Sequence, residues 1–270
     1  MTTTLTPAGA LGIVLPVLRE LGIPNPMSKA MHDVEEATQR AMLALRSETD
    51  LTAAQVADAL LDGRDPVKDR DLQGQLFRTL VRQMMSQGDP ISLARSNRLS
   101  AIVIEHAPKI IELMAGVVET ADADLAEAHR LMPNTDFHDQ TSVTGLAAGL
   151  MTAWGKARDA LNAVDRIAGA WTALCGSTGL ADVPANRRAL VVADLTWAEL
   201  QALGGRGEAW RAANAGHRLS LATPDEFAAR SQAIDDEREE EARIDMEEQE
   251  HYKRTGMSTA TAQLIRMRRG

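Results

Sequence analysis

The 270-residue chain reads as mainly α: a helical bundle built on a long antiparallel helical hairpin, with a small β-α-β element and an extended charged C-terminal helix. Three observations carry this reading. Hydrophobic residues make up 44% of the chain but aromatics only 3%. The apolar content is therefore dominated by Ala, Leu and Met, which favour helix, rather than by strand-forming β-branched and aromatic residues. Apolar positions recur at alternating spacings of four and three from Val143 to Cys175, the period of a coiled-coil seam. Residues 235–250 are almost entirely charged, a composition that suits a solvated helix and no core.

Residues 1–26 are punctuated by Thr, Gly and Pro and read as an irregular N-terminal arm with one short apolar stretch, Leu11 to Leu21. Pro24 and Pro26 flank Asn25 and make a hard stop. A bundle is expected over 27–180. Its first helix starts near Met27, with Met31, Val34, Thr38, Ala41, Met42 and Leu45 on one face. Thr52 and Gln55 have capping-box spacing and open a short helix ending at Gly63. Leu72, Leu76, Leu80 and Met84 repeat every four residues, and Gly88 closes that segment.

Asp89-Pro90 is a strong helix start, an N-cap Asp followed by Pro at the first helical position. Leu99, Val103, His106, Ile110, Leu113 and Val117 follow at helical spacing up to Pro133-Asn134. The next pattern runs through Val143, Ala147, Leu150, Trp154, Ala157, Leu161, Val164, Ala168, Trp171 and Cys175, and Gly176 and Gly179 end it. Helices over about 90–132 and 140–175 joined by a short connector pack antiparallel.

Over 181–225 a small α/β element is expected. Ala189 to Ala193 has strand character, Thr196 with Glu199 is a capping box ahead of Trp197, and His217 to Ala222 alternates like a strand. Residues 226–270 form a charged helix opened by Thr223-Pro224-Asp225-Glu226, followed beyond Gly256 by a short helix capped at Ser258 with a basic tip.

The formal net charge of −9 argues against nucleic-acid or anionic-membrane binding by the whole surface. The stretch from Leu99 to Val118 is interrupted by Glu105, His106, Lys109 and Glu112, so no membrane span is expected. The start of the chain lacks the basic region of a signal peptide. A single cysteine, Cys175, excludes an intramolecular disulfide and fits a reducing, cytoplasmic compartment.

The sites of chemistry are sparse. Of the six histidines only His251 has a Glu three residues before it, Glu248 in the charged run, whereas the di-iron pattern of helical bundles needs that pair on two helices. Asp136, His138 and Asp139 crowd together in an expected loop and read as capping residues. His32 beside Glu35 and Glu36 reads as an exposed helix face. The Gly204-Gly205-Arg206-Gly207 run lacks the Lys-Ser/Thr of a phosphate loop. Cys175 continues the seam and reads as buried and inert. His106, two residues before Pro108, is a possible switch or pocket residue, because a proline within a helix frees the carbonyl four residues before it.

No catalytic, cofactor-binding or metal-binding residues are assigned, and no cofactor is expected. The expected function is that of a non-enzymatic interaction and assembly protein, with protein partners and homo-oligomerisation. Trp154 and Trp171 lie on an apolar stripe wider than one partner helix needs, so the surplus calls for the N-terminal helices or a second subunit. The acidic helix followed by a basic tip at Arg266, Arg268 and Arg269 resembles viral scaffolding proteins in charge layout, with no matching motif. That layout implies a phage or mobile-element assembly role. Two alternatives stand beside it: a ligand-binding or enzymatic bundle with a pocket near His106 and Pro108, and a nucleic-acid-associated protein acting through the C-terminal arginines.

Overall fold

A computed structural model describes residues 5–46, 53–63, 65, 68–87, 89–144, 146–204 and 208–255. Among these residues the fold is mainly α and contains no strand.

The first departure from expectation comes at once, because the N-terminal segment is not an irregular arm. Residues Pro7–Glu20 form a helix, α1. Thr6 caps it by accepting the amide of Gly9 at 3.1 Å, and Pro7 takes the first helical position. Ala10, Leu11, Val14, Val17 and Leu18 are buried along one face. Pro16 sits inside α1 but on its exposed side, so the carbonyl its ring leaves unpaired meets water. Gly22 then ends the helix at a φ of +65°, a conformation glycine adopts without strain. Asn25 takes the amide of Met27 at 3.0 Å, and Met27 is fully buried.

Helix α2 spans Ser28–Arg46, α3 Ala53–Leu61 and α4 Arg70–Gln87. On α2 the expected face is real where it is described: Val34 is buried and Met31, Thr38, Ala41 and Met42 are half-buried. Glu35 of α2 chelates the guanidinium of Arg95, with a 2.9 Å bond from Nε. The leucine repeat on α4 behaves differently. Leu72 is buried, but Leu76 and Leu80 are exposed, as is Phe77.

The two longest helices within the core are α5, Pro90–Leu131, and α6, Ala148–Thr178. They pack more extensively on each other than any other pair of elements among the described residues. Asp89 caps α5 by accepting the amides of Ile91 at 3.0 Å and Ser92 at 3.1 Å. The 42 residues of α5 advance about 63 Å. Its buried line is Leu99, Val103, Ala107, Ile110, Met114, Val118, Ala121, Leu125 and Ala128. Spacings of 4-4-3-4-4-3-4-3 average close to 3.6, the period of a straight helix and not of a left-handed supercoil. The buried line thus runs through Ala107 where the larger His106 was expected, and alanines do much of the packing.

Helix α6 begins at Ala148, eight residues later than the expected 140, because Gln140–Val143 forms a separate 3-10 turn capped by Asp139. It ends where Gly179 adopts a φ of +73°. Two ridges are buried along it. One is Ala157, Leu161, Val164, Ala168, Trp171 and Cys175, and the other is Ala160, Ala163, Ile167, Ala170 and Leu174. A two-stranded seam needs one ridge. The second is covered within the chain, since α6 also contacts α1 and the segments that follow it.

The expected β-α-β element is absent. Ala185–Val191 is a 3-10 helix, not a strand. Leu190, Val191, Val192 and Ala193 are fully buried, and a short run buried on all sides carries no periodicity that separates strand from helix. His217 to Ala222 is extended, with Leu219 and Leu221 buried and Arg218 and Ser220 exposed. Its pairing with the first segment is one antiparallel bridge, Ala193 to Leu219, extended by the 2.8 Å bonds from Ser220 to Val192 and from Ala222 to Val191. Between them lie α7, Trp197–Ala202, opened by the expected Thr196–Glu199 capping box, and α8, Ala209–Asn214. The last helix, α9, spans Pro224–Thr255.

Candidate interaction surface

Helix α9 divides into two halves of different chemistry. Its first half is anchored. Thr223 and Glu226 cap it reciprocally, at 2.7 Å and 3.2 Å. Phe227 is buried with its ring 5.4 Å from that of Trp171. Arg230 donates to the carbonyl of Leu190 at 2.9 Å and to the hydroxyl of Ser220 at 2.8 Å. Arg187 donates to Asp235 at 3.0 Å and to the carbonyl of Ser231 at 3.2 Å. The Arg187 hydrogen bond holds the Asp235 carboxyl below its ordinary range. Ile234 is the last buried residue of the helix.

Past Asp235 every position from Asp236 to Glu250 is exposed. Between Asp235 and Glu250 stand ten acidic residues and two arginines, a net of −8, against −9 for the whole chain. Residues 1–234 carry a further −6 and residues 251–270 carry +5, so the rod is the densest acidic segment of a chain that is acidic before it and basic after it. Ile244 and Met246, 48% and 62% exposed, interrupt the acids. A helix this poor in internal contacts is not held by packing.

One neighbour touches the start of the rod. Glu237 accepts the backbone amide of Trp197 at 2.6 Å, and Glu241 accepts its indole N–H. A cleft of about 550 Å3 opens there between α7 and α9, lined by Trp197, Ala198, Asp236, Glu237, Glu240, Glu241 and Ile244. Sequence reading missed Trp197 as a surface residue of interest. Its capping box was visible, but its bonds to carboxylates forty residues downstream were not.

A second concavity lies at the C-terminal end of α5. His129, Pro133, Asn134, Thr135, Asp136, Asn214, Ala215 and Gly216 line about 510 Å3. Its polar groups are committed to structure. Asp136 accepts from the amide of His138 and the side chain of Asn214, both at 2.9 Å, while Asn214 accepts the amide of Phe137 at 2.9 Å. His138 stacks on Trp210 with centroids 4.0 Å apart. The Asp136, His138 and Asp139 cluster therefore holds a loop. Among the described residues no group of three or more His, Cys, Asp or Glu side chains is placed to hold a metal ion.

The expected site residues do not converge. Trp171 is fully buried against Phe227 and cannot meet a partner, which corrects its expected role at an interface. Trp154 is half-buried, with Arg158 5.3 Å from its ring centroid. His106 is half-buried on α5, and Pro108 is exposed. The carbonyl that Pro108 leaves unpaired belongs to Ile104, itself 53% exposed, so water can satisfy it. His106 lines none of the cavities around α7, α8 and α9. Arg266, Arg268 and Arg269 lie outside the described residues, as does the expected helix capped at Ser258. No helix among the described residues is long and apolar enough to cross a membrane.

Comparison with protein-family models, with curated proteins and with solved structures finds no match to this chain.

Proposed function

We propose that the chain is a non-enzymatic helical interaction and assembly protein that associates with itself, and that the exposed half of α9 is its docking arm. The observation that carries this reading is the segregation on α9. One half is locked to the core by Phe227, Ile234 and the Arg187–Asp235 pair, and the other projects a dense run of carboxylates into water. A solvated helix that adds nothing to the core is a costly way to end a fold, but a suitable way to present charge to a partner. Exposed Leu76, Phe77 and Leu80 on α4 add an apolar face that supports association.

The finer architecture belongs to the same proposal. The connector of 132–147 lies against the end of α5 and the start of α6, where Phe137 meets His129 and Arg158 donates to the carbonyl of His138, which supports an antiparallel hairpin as the rigid body from which the arm projects. A cytoplasmic phage or mobile-element assembly component fits this design. Placement of the gene among capsid and tail genes is the expected finding, and an isolated metabolic neighbourhood contradicts it. Light scattering on the purified chain tests the assembly reading itself: particles larger than a monomer are expected at high protein concentration, and a strict monomer overturns it.

A further inference from the structure

The cleft between α7 and α9 has two kinds of surface. Its floor is apolar, made by the Trp197 ring, Ala198 and Ile244. Its rim carries four carboxylates, Asp236, Glu237, Glu240 and Glu241. Glu237 and Glu241 are occupied by Trp197. Asp236 takes a 2.7 Å bond from the neutral Gln232, and Glu240 is paired with Arg243 in the open. The rim therefore keeps a strong negative excess around an apolar floor, and a complementary occupant must bring apolar side chains and cations together.

The end of the chain has that composition. From His251 to Gly270 there are five basic residues, Lys253, Arg254, Arg266, Arg268 and Arg269, and no acidic one. Leu264 and Ile265 precede the last arginines and Met267 stands between them, with Met257 further upstream. Helix α9 itself runs away from the cleft as far as Thr255. The eleven residues from Ile244 to Thr255 advance about 16 Å further out. A second molecule can offer its end to the cleft without reversing course.

We propose that the α7–α9 cleft receives the basic, apolar C-terminal segment 257–270 of a second copy of this chain. The inference rests on the self-assembly reading and names the surface that performs it. Apolar side chains on the Trp197 and Ile244 floor supply most of the affinity, because exposed ion pairs are individually worth little. The carboxylate rim sets the approach, the register and the salt dependence.

Charge reversal in the full chain tests this. One variant carries Asp236→Lys and Glu240→Lys, which leaves both Trp197 hydrogen bonds in place. The other carries Arg266→Glu, Arg268→Glu and Arg269→Glu. Sedimentation velocity is the readout, with circular dichroism confirming that each variant folds. Each variant alone is expected to self-associate about tenfold less strongly than the natural chain. Their equimolar mixture is expected to recover association, since each then offers the end that the other's cleft accepts. Tail reversal that leaves self-association unchanged overturns the inference while the assembly reading stands on another surface. Loss in both variants without recovery on mixing also overturns it, by assigning the contact within one chain. A natural chain that stays monomeric throughout overturns the assembly reading itself.

Discussion

Cys175 shows how far a single residue could be understood before any fold was known. Its place at the end of a helical apolar stripe implied an inert thiol, and burial pushes that thiol up to about 12. The folded chain should therefore resist a thiol-specific reagent at neutral pH and react with one equivalent after denaturation; rapid labelling of the folded chain would contradict the packing at the end of α6. The two tryptophans separate in the same way. Trp171 is fully buried and Trp197 is not, so Trp171→Ala should destabilise the chain by about 3–5 kcal/mol. Trp197→Ala, at a half-buried position against the core, should cost less stability than Trp171→Ala while weakening self-association. Sequence spacing placed Trp171 on the right face but could not say whether that face met its own chain or another. The answer depended on Phe227 of α9, a residue distant in sequence whose ring meets that of Trp171. Asp235 gives a pH signature. Its carboxyl is lowered chiefly by the Arg187 hydrogen bond, so its contribution is present above the ordinary aspartate range and is lost as pH falls through the lowered value. Asp235→Asn should flatten acid unfolding measured between about pH 5 and 2.

At the scale of elements, three helix starts were legible and helix surroundings were not. Asp89-Pro90, Thr196 with Glu199, and Thr223-Pro224 each open a helix where their side-chain chemistry indicates, because capping is settled within four residues. The failures involve partners distant in sequence. Ala189 to Ala193 had no periodicity to reveal a 3-10 turn, and the line of Ala107, Ala121 and Ala128 was passed over because small residues are weak markers of a core. The candidate cleft was invisible for a related reason, since Trp197 and Glu241 belong to elements that meet only in three dimensions. The division of α9 predicts a sharp dynamic boundary. Amides of Phe227 to Ile234 should be protected in hydrogen exchange, and those from Glu239 to Glu250 should exchange faster by about two orders of magnitude or more. Uniform protection along the whole helix would mean that the acidic half is packed against something in the free protein.

For the whole molecule, the decisive property is the separation of a packed helical body from a solvated rod that gathers a net charge of −8 between Asp235 and Glu250. That separation was legible from composition alone, whereas the direction in which the rod leaves the body required the Arg187 and Trp197 contacts. Association through such a rod must weaken as salt shortens the range of charge, from a screening length of about 10 Å at 0.1 M to about 3 Å at 1 M. Sedimentation velocity of the full chain, titrated in protein concentration at low and at high ionic strength, is the most direct test. The account predicts a sedimentation coefficient that rises with concentration at low salt and rises less steeply with concentration at high salt. A coefficient fixed at the monomer value across all concentrations at low salt would contradict it.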